Sequence, residues 1–245
     1  MEQMTLNLSD QKSSGLDAIV EHAGIHEALT TLRSIVERRG AICPSPVLIH
    51  GIQGSGKTTL IKAFLGSVKA SANATPNKIL LVEPQIDSNR FPLLENLDRV
   101  NDGSLFDMEL LVIEDIHKIS GDDSYSYWNI YNKMNRNNGI MVMTSRFPPS
   151  LMFEGNEHLR SRLLSGLVIS ITPPDDSVKL LILDQMARLR GFRLSHDVIT
   201  YLLRRKSRNL KELDRIVASL DSESLVLKRR ITIPLIRDLE QRGLI

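Results

Sequence analysis

The sequence has one cysteine and no long apolar run, and each scarcity excludes a class of protein. Cys43 alone cannot form an intrachain disulfide, and so low a cysteine content is typical of reducing compartments, so we expect a cytoplasmic protein. No apolar stretch approaches the ~18 residues that span a bilayer, which predicts no membrane partner. Residues 1–4 have neither the basic segment nor the apolar segment that begins a secretory signal.

The chain also lacks a strong net charge of either sign, since its 31 Lys and Arg residues are nearly balanced by 29 Asp and Glu residues. The basic excess lies after residue 174 and would suit phosphate, DNA or an acidic partner, although a solvated helical surface is the favoured interpretation. A chain of 245 residues with 42% hydrophobic and 24% charged residues is long enough for one large or two small globular domains.

The strongest motif present is a P-loop, which matches G-x-x-x-x-G-K-[ST] between an apolar strand pattern and a helix pattern. Such a loop turns its backbone N–H groups toward phosphate oxygens, while its lysine reaches the outer phosphates and its Thr offers a hydroxyl to Mg²⁺. We therefore expect ATP or ADP with Mg²⁺ as ligands. The predicted nucleotide-binding residues are Gly51, Gln53, Gly54, Ser55, Gly56, Lys57, Thr58 and Thr59.

A second motif follows at residues 109–115, where a run of strand-forming residues ends in two carboxylates. This pattern is typical of the strand that completes a Mg²⁺–nucleotide site. Glu114 is predicted to bind Mg²⁺ together with Thr58, and Asp115 to orient or deprotonate the attacking water. A surface acidic pair is the alternative. At the end of a later strand, Thr144 or Ser145 could sense the γ-phosphate.

The order of elements predicts an α/β fold followed by a small all-helical domain. Strand and helix patterns alternate up to residue 172, which favours a parallel sheet with right-handed crossovers. After Pro173 and Pro174 only helix patterns remain. We therefore expect a tail over residues 1–15, a nucleotide-binding domain over residues 16–172 and a helical lid over residues 173–245. Helical spacing of apolar residues predicts that the first helix covers residues 16–39.

The tail contains a hexapeptide that is similar to the motif by which bacterial replication proteins bind the sliding clamp. Gln comes first, and aliphatic residues alternate behind it, so an extended chain would place them on one side. A frayed terminus with accidental leucines is the alternative. The residues concerned are Gln3, Met4, Leu6 and Leu8.

Taken in order, these motifs resemble the DnaA branch of the AAA+ ATPases. The resemblance depends on the P-loop, the strand LVIEDI, the segments MTSRFPP and LRSRL, and a lid. The lid segments ARLRGF and RRITIP are similar to those of the Hda-type regulators, which also have an N-terminal clamp-binding hexapeptide and no DNA-binding domain behind the lid. The resemblance implies an AAA+ fold, DnaA as a partner through an AAA+ to AAA+ contact, and the sliding clamp as a second partner. DNA would be contacted only indirectly, through the clamp. Whether the chain forms a homo-oligomer is left open.

The same resemblance implies a regulator that triggers hydrolysis of DnaA-bound ATP with an arginine supplied in trans. The matching residue is Arg162, with Arg160 as the close alternative. An ATP-driven initiator or helicase loader acting on DNA is a second hypothesis, and a structural DnaA partner is a third.

Three departures from the DnaA branch bear on catalysis. Arg146 stands where the branch usually has Asp, Lys211 stands at the lid sensor arginine, and Glu114 stands where Asp is usual. Lysine can touch a phosphate but cannot hold it with two parallel hydrogen bonds. These departures predict a chain whose nucleotide binding is stronger than its own ATPase activity, which we expect to be weak or dependent on the partner.

Overall fold

The computed structural model describes residues 15–37, 45–71, 79–82, 109–118, 124–152, 157–205, 209–227 and 229–244. The chain divides into two compact units. The sheet unit includes Ala28–His50 and Lys57–Ile169, and the helical unit includes Val20–Glu27, Gly51–Gly56 and Ser170–Ile245. The predicted clamp-binding hexapeptide lies outside the described residues, and so do residues 91–100, for which the sequence also predicts a short helix.

Among the described residues, five strands form one sheet in the order β2-β3-β4-β1-β5. The pairs β1–β4, β3–β4 and β2–β3 are parallel, which confirms the predicted fold class. Strands β1 and β3 are buried almost throughout, as expected for parallel strands that are covered on both faces. The strands are β1 Val47–His50, β2 Ile79–Val82, β3 Leu110–Ile113, β4 Ile140–Ser145 and β5 Leu167–Ser170.

Helices of the sheet unit supply the other half of its core. Tyr127, Ile130 and Met134 lie about one helical turn apart and are buried against strand residues such as Leu111 and Met143. The Tyr127 hydroxyl donates to the Met143 sulfur at 3.2 Å, so this aromatic residue packs in the core. The helices are α1 His26–Glu37, α2 Lys57–Ala70, α3 Ser124–Arg136 and α4 Glu157–Leu164.

The prediction of one helix over residues 16–39 is wrong in its first part. Residues Leu16–Ala18 form a single 3₁₀ turn, and α1 begins only at His26. Two tertiary hydrogen bonds account for the difference. The Leu16 N–H donates to Ser67 Oγ at 2.8 Å, and the Thr172 N–H donates to the Gly24 carbonyl at 3.0 Å. These bonds hold the segment in a non-helical path that apolar spacing alone does not show.

In the described residues of the helical unit, four helices surround an apolar core. Asp175 caps the first of them, because its side chain accepts from the Val178 N–H at 2.8 Å. Pro234 lies in the first turn of the last helix, a position that proline favours. The core includes Leu183, Leu202, Leu213 and Leu239, each fully buried. The helices are α5 Asp176–Leu189, α6 His196–Arg205, α7 Leu210–Leu227 and α8 Ile233–Gln241. In the described part of the chain, no helix has the length and apolar character needed to cross a membrane.

Candidate functional site

The loop between β1 and α2 has the backbone of a phosphate-binding turn. Gly54 and Gly56 have φ angles of +82° and +98°, a region that side chains rarely enter. Ser55 lies between them, is buried, and donates its N–H to the Ile52 carbonyl at 3.2 Å. The two glycines therefore set the direction in which the loop's N–H groups point, and this requirement explains the motif's spacing.

Gly51 is required for a different reason, which is close packing. A β-carbon at this position would lie 2.4 Å from the Ile171 carbonyl oxygen and 2.8 Å from Ser55 Oγ. Neither distance is compatible with a side chain. The first glycine of the motif thus lets the backbone of the loop approach a neighbouring strand end.

The first turn of α2 brings a hydroxyl onto a buried carboxylate. The Thr58 hydroxyl donates to Glu114 Oε2 at 3.0 Å, and Glu114 is only 8% exposed. Glu114 follows directly after β3, so the strand end and the helix start meet here. Mg²⁺ binds hard oxygen atoms beside a phosphate. The two predicted metal ligands are therefore already adjacent, and the donor set fits that ion.

The second carboxylate, Asp115, is held by the neighbouring strand. Its N–H donates to Thr144 Oγ1 at 2.9 Å, and its φ of +51° is in the left-handed region that Asp tolerates. Its side chain contacts Lys118 Nζ at 2.7 Å. The parallel register pairs Ile113 with Met143, which brings Glu114 and Thr144 to the same edge of the sheet.

The two candidate sensors left open by the sequence have different surroundings. Thr144 contacts Asp115 through its hydroxyl and is 1% exposed. The Ser145 hydroxyl donates to the Met152 sulfur at 2.9 Å and accepts from the Phe147 N–H at 3.0 Å. Ser145 therefore stabilises the turn after β4, whereas Thr144 lies beside the predicted water-orienting carboxylate.

Charged groups of both signs surround the P-loop lysine. Burial lowers the pKa of Lys57, nearby Asp115 opposes this shift and nearby Arg146 adds to it. Burial likewise lowers the pKa of His117, with Asp115 opposing and the cations Lys118, Lys57 and Arg146 contributing. A neutral His117 agrees with its geometry, because Nδ1 accepts from the Arg146 N–H at 3.2 Å.

Sequence reasoning did not single out His117. The only available signal was its position two residues behind Asp115, at the strand end where site residues gather. Burial also lowers the pKa of His50, with Lys57 as the second cause.

Comparison with known proteins places this arrangement in a family. A model of the bacterial DnaA ATPase domain matches residues 11–170. The chain belongs to the DnaA ATPase-domain family. A model of the Hda lid domain matches residues 176–239, so the lid of this DnaA-family chain is of the Hda type.

Individual DnaA proteins are similar over most of this chain. DnaA of Campylobacter jejuni is 28% identical over 78% of the chain, and DnaA of Thermomicrobium roseum is 30% identical over 71%. The chain spans less than half of these curated relatives, with 43% and 39% of their lengths covered.

Solved DnaA structures share the fold. Domain III of Thermotoga maritima DnaA superposes with a TM-score of 0.76 at 18% identity, covering 93% of this chain and 95% of that one. The AMPPCP-bound DnaA of Aquifex aeolicus gives a TM-score of 0.70 at 20% identity, covering 86% of this chain and 66% of that one.

The predicted finger arginine lies on α4, within the DnaA-family part of the chain. Leu159 and Leu163 are buried and fix the helix, while Arg162 is exposed and has its guanidinium carbon 5.4 Å from the centroid of the Tyr131 ring. Among the described residues Arg162 makes no ion pair. Its alternative, Arg160, contacts Glu157 at 3.4 Å within the same helix.

Lys211, the predicted lid sensor, lies in the first turn of α7. Its N–H donates to Asn209 Oδ1 at 2.9 Å, so its backbone is fixed while its side chain is exposed. A basic side chain at a helix start is opposed by the helix dipole, which favours an anion nearby.

Proposed function

We propose that this DnaA-family chain is a nucleotide-binding regulator of bacterial replication initiation that promotes hydrolysis of DnaA-bound ATP. The observation that carries the proposal is the combination of a DnaA-type ATPase core with an Hda-type lid in one chain. DnaA itself acts on the chromosome, so the proposed place of action is the cytoplasm.

The loop and strand ends described above support binding of ATP or ADP. Backbone N–H groups of Gln53, Gly54 and Gly56 would bind phosphate oxygens together with Lys57, while Gly51 and Ser55 would hold the loop in shape. Thr58 and Thr59 would lie at the helix start. Thr58 and Glu114 would hold Mg²⁺, which neutralises phosphate charge when it is bound. Asp115 would orient water, and Thr144 would keep Asp115 in position through the 2.9 Å hydrogen bond.

The proposed regulatory group is Arg162. A guanidinium that reaches the γ-phosphate of a partner stabilises the charge that spreads over its oxygen atoms during hydrolysis, and such arginines contribute about 10³–10⁵ in rate. Three properties of Arg162 support this role over Arg160: exposure, an aromatic support beneath it, and no ion pair among the described residues.

The proposed tether is the tail with Gln3, Met4, Leu6 and Leu8, which would bind the sliding clamp and so bring the regulator to DNA. Its support is the sequence pattern, since these residues lie outside the described part of the chain. Burial of two leucines gains roughly 3–6 kcal/mol, and ordering six residues costs about 1 kcal/mol each or more. A weak tether of this kind raises local concentration rather than providing a stable interface.

The test is single-turnover hydrolysis of ATP bound to DnaA, with this protein, the clamp and DNA present or omitted in turn. Arg162→Ala should reduce the stimulated rate by about 100-fold or more, while nucleotide and clamp binding stay unchanged. Arg160→Ala is the matched control and should retain most of the stimulation. Normal stimulation by Arg162→Ala would reject the finger, and would favour a structural DnaA partner if DnaA is still bound.

The tether is tested in the same assay with Gln3→Ala combined with Leu6→Ala. This variant should not be retained on immobilised clamp and should stimulate hydrolysis only at much higher protein concentration. Unchanged retention on the clamp would reject the proposed motif.

A second candidate is an ATPase that acts on DNA, such as an initiator or helicase loader. The observation that favours it is that the Thr58–Glu114 and Asp115–Thr144 hydrogen bonds bring the predicted metal ligands and the predicted water-orienting carboxylate to one edge of the sheet. ATP turnover by the protein alone, with and without DNA, separates the candidates. Strong stimulation by DNA would favour the second, and negligible turnover would favour the regulator.

A further inference from the structure

Tyr131, on α3, is a core residue whose ring lies beneath the exposed Arg162. The Tyr131 side chain is 6% exposed and belongs to the same apolar cluster as Leu159 and Leu163, the two leucines that fix α4. The Arg162 guanidinium carbon lies over the ring, 5.4 Å from its centroid. An exposed cation therefore rests on a ring that the core of the sheet unit holds in place.

The hydroxyl of Tyr131 connects the same ring to the backbone of Arg162 through Ser165. Ser165 Oγ donates to the Arg162 carbonyl at 2.7 Å, and it lies 3.0 Å from the Tyr131 hydroxyl. A serine hydroxyl has one proton to donate, and Ser165 uses it on the Arg162 carbonyl, so Tyr131 is the donor in the second bond. Tyr131 thus holds Arg162 twice, at its guanidinium and at its backbone.

The chain that follows Arg162 is anchored to the segment before β1. The Leu167 N–H donates to the Pro46 carbonyl at 2.9 Å, and a β-carbon at Gly166 would overlap the same carbonyl oxygen. Close packing therefore fixes the C-terminal end of α4. With its backbone fixed, the direction of the Arg162 side chain depends on the surface that its guanidinium contacts.

We infer that Tyr131 is a positioning residue for Arg162, which it holds ready for the γ-phosphate of the partner. The inference rests on the proposed regulatory function. An arginine side chain has many rotamers, and restricting them before the partner arrives reduces the entropy that is lost when the guanidinium binds. Because Tyr131 is buried, its removal should change the rate at which bound DnaA hydrolyses ATP rather than the affinity for DnaA.

An aromatic ring suits this task better than a carboxylate does. The ring attracts the guanidinium through its quadrupole and leaves the N–H donors available to a phosphate. Arg160 illustrates the other arrangement, since it contacts the Glu157 carboxylate at 3.4 Å within the same helix. An ion pair of that kind has to be broken before a phosphate can bind, whereas the contact with Tyr131 does not.

The experiment measures single-turnover hydrolysis of DnaA-bound ATP over a range of concentrations of this protein, with clamp and DNA present. Tyr131→Leu should lower the maximal rate about tenfold, within the range of a cation–π contact, and should change the half-saturating concentration less than about twofold. Tyr131→Phe keeps the ring and loses the donor, so it should lower the maximal rate only about threefold. Tyr201→Leu is the matched control, because it removes a tyrosine that lies 5.7 Å from Arg237 in the lid, and it should change neither quantity.

Ser165→Ala tests the hydroxyl link from an exposed position, where no core packing is lost. It should lower the maximal rate as much as Tyr131→Phe does. The double variant should be no slower than either single variant, because both substitutions remove the same link. Losses that add in the double variant would overturn the link through Ser165.

A second measurement follows the Arg162 side chain without DnaA. The ring current of Tyr131 should shift the proton resonance of the Arg162 Nε–H group, which is assigned by its absence in Arg162→Ala. The shift should persist in Tyr131→Phe and disappear in Tyr131→Leu. An Arg162 resonance that is the same in Tyr131→Leu and in the unchanged protein would overturn the inference whether or not DnaA responds.

The rates separate this inference from the proposed function. A normal maximal rate with Tyr131→Leu, a change confined to the half-saturating concentration, or equal losses for Tyr131→Leu and Tyr131→Phe would overturn the inference alone. Failure of the unchanged protein to stimulate hydrolysis would overturn the proposed function together with it. Circular dichroism verifies that each variant is folded, and Tyr131→Phe and Ser165→Ala decide the question if Tyr131→Leu is not.

Discussion

The carboxyl ends of β3 and β4 and the core of α5–α8 are built from opposite kinds of side chain. In the described part of the chain, the buried polar or charged residues are Ser55, Glu114, Thr144 and Ser145, all at the P-loop or at a strand end. The core of the four helices consists of apolar residues such as Leu183, Leu213 and Leu235. The structure of the strand ends depends on which side chains can be hydrogen-bonded there, whereas the structure of the helical core depends on side-chain volume.

The difference determines what each region tolerates. A buried polar group that loses its partner costs free energy, so Thr144 and Asp115 depend on each other. An apolar core accepts exchanges of similar volume. The helical core has one feature that departs from this pattern: the Thr200 hydroxyl on α6 is buried and has no hydrogen-bond partner among the described residues.

The largest expected effect is that of Leu213→Ala in the helical core. Leu213 is fully buried, so the substitution should lower the free energy of unfolding by about 2–5 kcal/mol through lost burial and a cavity. Urea denaturation followed by circular dichroism measures the loss. Leu213→Met, which conserves volume, is the control and should cost less than about 1.5 kcal/mol. A cost as large for Leu213→Met as for Leu213→Ala would contradict specification by volume.

An intermediate effect is expected for Thr144→Val at the strand end. Valine has the same shape but leaves the Asp115 N–H without its acceptor, so the free energy of unfolding should fall by about 1–3 kcal/mol. Chemical denaturation followed by circular dichroism measures the loss. Thr144→Ser keeps the hydroxyl and should lose less. Equal stability of Thr144→Val and the unchanged protein would show that the hydrogen bond is not required.

The smallest effect, with the opposite sign, is expected for Thr200→Val on α6. The same change of side chain here removes a buried hydroxyl that has no partner, so stability should be unchanged or should rise by up to about 1 kcal/mol. Chemical denaturation of both Thr→Val variants under one set of conditions makes the comparison direct. Destabilisation by Thr200→Val comparable to that by Thr144→Val would remove the distinction between the two regions.

Much of the fold follows from local patterns. The strands β1 to β5 were predictable because buried parallel strands are continuous apolar runs. The lid helices were predictable because their apolar residues recur at helical spacing. The first helix was predicted too long, because the bonds from Leu16 to Ser67 and from Thr172 to Gly24 join residues distant in sequence. The sequence pattern predicts a lid helix over residues 209–220, but helix α7 extends to Leu227, because partly buried residues such as Leu227 still pack on the core.

The candidate site likewise contains residues that the sequence reveals and residues that it does not. Gly51, Gly54, Gly56 and Lys57 were recognisable because a phosphate-binding turn imposes fixed spacing on one short segment. The roles predicted for Asp115, Arg162 and Lys211 stay predictions. His117 could not be recognised, since its contacts with Arg146 and Phe147 arise only when two strands end side by side.

The sequence by itself determined the P-loop, the order of its elements and the family, because these depend on residues close together along the chain. Only the tertiary structure decided that Thr58 meets Glu114, that Thr144 rather than Ser145 meets Asp115, and that Arg146 rests on His117. The physical reason is register. Parallel strands align residues that are about 30 positions apart, and a shift by one residue turns each side chain to the opposite face.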